Sequence, residues 1–269
     1  MAPDIVRLLR AMRAPEFEYR DPFAAASAQP SPRRTAWPGL LIVAVASLER
    51  GAGRTTLAAN LATAVGRRGV RAAAIDLDPR DHARLHFRAA TPSIRLPGSA
   101  VQWTERSVGY VPYGRDPVGV IETLAEGSGV VFLDTPAQPS PALEQALAEA
   151  DEVLVVVRAS PAAAETFRAT EALLARWRRP AWRRTRARYV VNHFDARRKV
   201  DRDSLAALRA VAGTRLLAHA VQQDEAVRTA LARGRCVQDE APGSQVVADL
   251  QAIARDYGAS DARTPKGPS

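Results

Sequence analysis

Ser47-Leu48-Glu49-Arg50-Gly51-Ala52-Gly53-Arg54-Thr55-Thr56 is the stretch on which the fold turns. Before it, Leu40 to Ala46 is a continuous apolar run of the kind a fully buried strand presents. After it, Leu57, Leu61 and Val65 fall at helical spacing within Thr55 to Arg68. A strand, a glycine turn and a helix thus follow one another. Gly51 and Gly53 allow the backbone to aim N–H groups at an anion, and the positive end of the helix faces the same point. Arginine stands at position 54, where a phosphate-binding loop ordinarily carries lysine.

Outward from this stretch, apolar runs alternate with helical patterns. Leu40 to Ala46, Arg71 to Leu77, Val108 to Pro112, Val130 to Asp134, Val153 to Val157, Arg188 to Asn192 and Leu216 to Val221 read as strands. The alternation predicts an α/β fold, a doubly wound and mostly parallel sheet of about seven strands with ligands at their carboxyl ends. Three runs end in polar residues at that edge. Ile75-Asp76-Leu77-Asp78-Pro79 supplies two carboxylates, and Val130-Val131-Phe132-Leu133-Asp134 has the form of a strand whose terminal carboxylate helps to hold Mg²⁺. Arg188-Tyr189-Val190-Val191-Asn192 ends in an amide able to pair with the edge of a purine base.

Composition sets the outer bounds. With 269 residues, 46% hydrophobic and 25% charged, the chain can bury one large core and needs no second full domain. No apolar run of about eighteen residues occurs, so a cytoplasmic protein without an integral membrane segment is expected. Cys236 has no disulfide partner. The formal charge of +9 leaves nucleic acid, anionic lipid and acidic protein partners open. Lysine occurs only at Lys199 and Lys266, so the positive charge is almost all arginine in an alanine-rich chain.

Three regions are expected: an arm and linker over residues 1–36, a nucleotide-binding domain over 37–257, and a polar tail over 258–269. In the arm, Ile5, Leu8, Leu9 and Met12 would share one helical face, and Phe17 and Tyr19 one side of an extended strand.

The order and spacing of these elements over residues 38–257 resemble the MinD/ParA family of deviant-Walker ATPases. A later stretch, Asp224-Glu225-Ala226-Val227-Arg228-Thr229-Ala230, then Gly234 and Ala241-Pro242-Gly243-Ser244, is similar to that family's carboxy-terminal signature. The resemblance implies ATP or ADP with Mg²⁺, held by the loop residues Arg50, Gly51, Ala52, Gly53, Arg54, Thr55 and Thr56. It implies that Thr55 ligates Mg²⁺, that Thr56 touches the α-phosphate, and that Asp76 and Asp134 support the metal. It also implies that Asp78 positions the attacking water and that Asn192 reads adenine.

The departures are as informative. The family pattern KGGxGK[ST][ST] has lysine where this chain has Glu49 and Arg54, so both loop lysines are replaced. Arginine keeps its charge but binds phosphate through a planar fork. Glu49 reverses the charge that would reach across a dimer, unless Arg50 substitutes for it. Nucleotide binding with slow or absent hydrolysis follows as the expectation.

The altered loop, the strand Gly109-Tyr110-Val111-Pro112-Tyr113-Gly114 and the arm segment Leu8 to Asp21 resemble a subfamily, the bacterial cellulose-synthase accessory proteins BcsQ (YhjQ), the arm being similar to their small partner BcsR. This implies an ATP-bridged homodimer that assembles or regulates a cellulose synthase complex through it or its cytoplasmic regulators, with recruitment to the inner membrane by partners. A partition ATPase on nonspecific DNA and a nucleotide-free pseudo-ATPase are the competing readings.

Arg176 to Tyr189 carries Trp177, Trp182 and seven arginines and joins a helix to a strand, which puts it at the sheet edge opposite the phosphate loop. It reads as a solvated loop or a protein-docking patch ahead of a nucleic-acid surface. His82 and His86 stand four apart without a third ligand at a suitable distance.

Overall fold

The computed structural model describes residues 40–88, 94–95, 102–103, 108–114, 129–177 and 186–257. The arm over 1–36, the tail over 258–269 and the centre of the arginine-tryptophan segment lie outside the described residues.

The apolar runs become the middle of one sheet: β1 (Leu40–Ala46), β2 (Ala72–Asp76), β5 (Val108–Val111), β6 (Gly129–Asp134), β7 (Glu152–Arg158) and β8 (Arg186–Asn192). β2, β5 and β6 are buried along their whole length. That explains runs such as Ala-Ala-Ala-Ile-Asp with no polar alternation, because both faces are covered. With two further strands, β3 (Ile94–Arg95) and β4 (Gln102–Trp103), the strand order is β3-β4-β5-β2-β6-β1-β7-β8. The six strands from β5 to β8 pair in parallel.

The short strands β3 and β4 extend the β5 edge in antiparallel register. They were not expected. The seventh strand expected at Leu216 to Val221 does not form. That segment touches β8 through the Leu217 N–H on Tyr189 and the Val221 N–H on Val191, both at 2.8 Å, with a bend between them instead of a ladder.

Helices cover both faces. α1 (Arg54–Gly66), α2 (Arg84–Phe87), α3 (Pro141–Glu149), α4 (Ala163–Trp177), α5 (Lys199–Ala212), α6 (Glu225–Ala232), α7 (Val237–Glu240) and α8 (Gln245–Ala254) follow in chain order. On one face Leu143, Leu147, Phe167 and Leu208 pack against Ile42, Val155 and Tyr189. On the other, Leu57 and Leu61 of α1 meet Leu250 and Ile253 of α8 over Val43 and Phe132. Each such fully buried leucine contributes about 1.5–3 kcal/mol. α1 is wedged between sheet and α7 by polar contacts too: the Val237 N–H donates to Asn60 Oδ1 at 2.8 Å, and Gln238 Nε2 donates to the Asn60 carbonyl at 2.7 Å. Cys236 is sealed in the same seam, where burial pushes its thiol up to about 12, so it packs as an apolar group. Among the described residues no helix is long and apolar enough to cross a membrane.

Candidate functional site

The parallel order brings the carboxyl ends of β1, β2 and β6 side by side. After β1 the chain enters the glycine turn. Gly51 has φ 71° and Gly53 φ 93°, the left-handed conformation that L side chains resist. Gly53 is also the N-cap of α1, with no side-chain cap and no acidic residue in the first turn. α3 and α6 differ, since Ser140 and Asp224 cap them through the N–H groups of Leu143 and Ala226. The α1 amino terminus therefore keeps its donors for another anion.

Around that terminus the sheet supplies buried charge. Asp76 and Asp134 are register partners across β2 and β6, 1% and 0% exposed. Asp76 accepts the N–H groups of Asp78 and Ala83, each at 2.9 Å. Burial outweighs those bonds and raises its pKa to about 6. Asp134 rises to about 7, through burial first and the neighbouring Asp76 second.

Among the described residues neither Asp134 oxygen has a geometric hydrogen-bond partner, though the neighbouring Thr55 hydroxyl opposes the rise of its pKa. Arg54 is 7% exposed and its Nη1 is likewise without a partner. Desolvation lowers its pKa, and Asp134 and Asp78 oppose that shift. A buried guanidinium N–H and a buried carboxylate, both unsatisfied beside an uncapped helix, are the donor and acceptor set that a phosphate with a divalent cation would complete.

Asp78 is differently placed. Burial pushes its pKa up, but Arg80 more than reverses this and leaves it below the usual carboxylate range. Arg80 donates to it three times, from its backbone N–H and Nε to Oδ1 at 3.1 and 3.0 Å and from Nη2 to Oδ2 at 2.7 Å.

Asn192 lies against the loop. Its Nδ2 donates to the Ala52 carbonyl at 2.7 Å, so its amide holds the turn's backbone in place. Next to it His193, in the left-handed region at φ 57°, covers the turn and bonds to the Gly51 backbone. Burial, with Arg158 and Arg228 nearby, lowers its pKa. Sequence reasoning missed His193, because a single histidine after a strand carries no signal of its backbone angle. A cavity of about 230 Å³ opens beside α1, lined by Thr56, Asn192, His193, Gln223 and Arg228 among others. The expected Asp224 to Ala230 signature thus lies beside the loop.

The two other loop residues go different ways. Glu49 Oε1 accepts the Thr166 hydroxyl of α4 at 2.9 Å, tying it within its own subunit, whereas Arg50 is exposed at the turn's tip. Arg188, one of the seven arginines, is no surface residue: it pairs with buried Glu152 at 3.0 Å and with Asp256 at 2.9 Å. His86 is buried, and burial lowers its pKa to about 4, while His82 is exposed.

Such a sheet and loop define a phosphate-loop α/β nucleotide-binding protein. Residues 43–237 match the family described as CobQ/CobB/MinD/ParA nucleotide binding domain, and the chain belongs to that family. It is 30% identical over 221 residues to the chromosome-partitioning ATPase Soj of Thermus thermophilus, covering 75% of this chain and 89% of Soj. Its fold matches that of the septum site-determining protein MinD of Pyrococcus horikoshii complexed with Mg-ADP, with TM-score 0.64 at 18% identity, over 81% of this chain and 95% of that one. The MinC:MinD complex of Aquifex aeolicus aligns with TM-score 0.65 at 18% identity, over 80% and 95% of the respective chains.

Proposed function

We propose that this chain is an ATP- and Mg²⁺-binding switch that closes into a homodimer through its nucleotide face, hydrolyses slowly or not at all, and signals by a change in protein contacts. The observation that carries the reading is the unsatisfied buried pair, Arg54 Nη1 and Asp134, at the uncapped start of α1. When bound, Mg²⁺ would supply charge neutralisation of the phosphates. Of the chain's own residues, Arg54 binds the phosphate, Thr55, Asp76 and Asp134 hold the metal and its waters, and Gly51, Ala52, Gly53 and Thr56 shape the cradle. Asn192 keeps that cradle in register through Ala52 and faces the cavity in which a base would sit. Slow turnover follows from Glu49, which brings no positive charge toward phosphate, and from Asp78, whose two oxygens Arg80 occupies. The Mg-ADP held by the Pyrococcus MinD and the partner held by the Aquifex MinD support the ligand and the mode of output.

The placement of this switch at a bacterial cellulose synthase, with the arm over 1–36 docking on its own or a neighbouring subunit, rests on the likeness of the altered loop, the Gly109 to Gly114 strand and the arm to the cellulose-synthase accessory proteins. Light scattering with and without Mg-ATP tests the switch. A shift from monomer to dimer with ATP is expected; an unchanged monomer overturns it. The relationship to Soj favours one alternative, an ATPase that binds DNA without sequence preference. A gel shift with random duplex at low salt that vanishes at moderate salt would favour that alternative, and no retention at either excludes it.

A further inference from the structure

The loop has lost one phosphate-facing charge at Glu49, and the structure offers another cation in the right neighbourhood. Arg80 follows Asp78 and Pro79 in the tight turn after β2. That turn is fixed on both sides. Asp76 accepts the N–H groups of Asp78 and Ala83, and Asp81 accepts the Tyr110 hydroxyl at 2.5 Å and the Tyr113 N–H at 3.3 Å. The Arg80 backbone is thereby held while its side chain is 51% exposed. Its guanidinium, held on Asp78, is near enough to the charged cluster for its charge to act on Arg54 and for Asp134 and Asp76 to act on it. It is drawn back onto Asp78 by a two-pronged pair, Nε to Oδ1 and Nη2 to Oδ2.

We propose that Arg80 is the cation that binds the terminal phosphate of ATP in place of a lysine at position 49, and that its pair with Asp78 is the resting position it leaves when ATP arrives. The inference rests on the reading of this site as an ATP site. Three observations set Arg80 ahead of Arg50. It stands on an anchored turn, it sits among the same carboxylates as Arg54, and its fork is already oriented by an anion. A phosphate oxygen pair presents the guanidinium with the same geometry as a carboxylate, so exchange of one for the other costs little. ADP lacks that group and leaves the Arg80–Asp78 pair intact. Arg80 would then read the difference between ATP and ADP, while its backbone N–H stays on Asp78 Oδ1.

Titrations of the full chain with Mg-ADP and with a Mg-bound non-hydrolysable ATP analogue test this, in the unaltered chain and in Arg80→Ala, Arg80→Lys, Arg50→Ala and Asp78→Asn. Arg80→Ala is expected to weaken the ATP analogue roughly ten- to hundredfold while ADP affinity stays within about twofold. Arg80→Lys should recover part of the loss, and Asp78→Asn, by freeing Arg80, should bind the analogue at least as tightly as the unaltered chain. Melting without nucleotide reports that each variant is folded. An unchanged ATP-to-ADP affinity ratio in both Arg80 variants overturns the inference, as does loss of that ratio in Arg50→Ala alone. If the unaltered chain binds neither nucleotide, the ATP reading itself falls along with it.

Discussion

At Gly53 a methyl group would meet two separate penalties. The backbone has φ 93°, and an added Cβ would lie 2.2 Å from Asn192 Nδ2, the atom that holds the Ala52 carbonyl. At Gly51 the backbone is also left-handed, but a Cβ there meets nothing within 4 Å. Gly53→Ala is therefore expected to lose about 2 kcal/mol or more in urea unfolding together with most ADP affinity, and Gly51→Ala only about 1 kcal/mol. Equal losses in the two variants would show that strain alone operates, without the Asn192 clamp. Asp134 gives a pH prediction. Its carboxyl titrates near 3.8 when unfolded and at about 7 when folded, so the folded state keeps a proton that the unfolded chain has lost. Its favourable contribution is complete below pH 3.8, declines as pH rises and is gone above about 7. Buried His86, held near 4, runs the opposite way and partly masks this in the unaltered chain. Comparison with Asp134→Asn cancels the histidine: the variant should gain relative stability as pH rises from about 4 to about 7, then level off. A pH-independent difference would mean that Asp134 is ionised in the folded protein throughout.

At the scale of elements, the carboxy-terminal helix is fastened to the sheet edge opposite the phosphate loop. Glu152 opens β7 with 1% exposure and accepts the Tyr257 hydroxyl at 2.7 Å, while Arg188 of β8 pairs with it and lies 5.1 Å from the centre of the Tyr257 ring. Arg188→Ala leaves a buried carboxylate without its cation and should cost about 3 kcal/mol in chemical denaturation. Tyr257→Phe removes one hydrogen bond and should cost about 1 kcal/mol. ADP affinity should change in neither, because the cluster and the loop sit at opposite ends of the strands; a parallel loss of ADP binding would show that α8 transmits strain through α1. These elements also show what the sequence could disclose. The long apolar runs of β1, β2, β6 and β7 were legible because a strand covered on both faces needs no polar alternation. Leu216 to Val221 carries the same apolar signal yet forms no strand. Leu216 and Leu217 serve the cores on opposite faces, and the bend after them breaks the ladder. β3 and β4 are two residues each and leave no pattern. In the site, spacing placed Asp76, Asp134 and the glycines. The Arg80–Asp78 pair, the Glu49–Thr166 bond and the His193 cover depend on side-chain directions that spacing does not encode.

For the whole molecule, the decisive question is what position 49 presents to a second copy. In the family resemblance this residue is a lysine that reaches across the dimer, whereas here a half-buried carboxylate accepts the Thr166 hydroxyl of its own α4. Two effects are combined in that contact, a tether and a charge, and two substitutions separate them. Thr166→Ala removes the tether and leaves the negative charge, so neither dimer formation nor turnover should rise. Glu49→Lys removes both and places a cation at the nucleotide face. If that face closes on a second copy, the dimer fraction with Mg-ATP should increase and phosphate release should accelerate roughly tenfold or more, since a single cation facing the terminal phosphate has effects of at least that size in related chemistry. The gain should shrink with added salt, because the new attraction acts near the surface. Folding stability should change little, as Glu49 contributes one part-buried hydrogen bond of about 1 kcal/mol. Light scattering and phosphate release measured on the same samples decide the matter. A Glu49→Lys chain that stays monomeric in Mg-ATP with unchanged turnover would mean that position 49 never meets a partner's phosphate, and the homodimer through the nucleotide face would have to be abandoned.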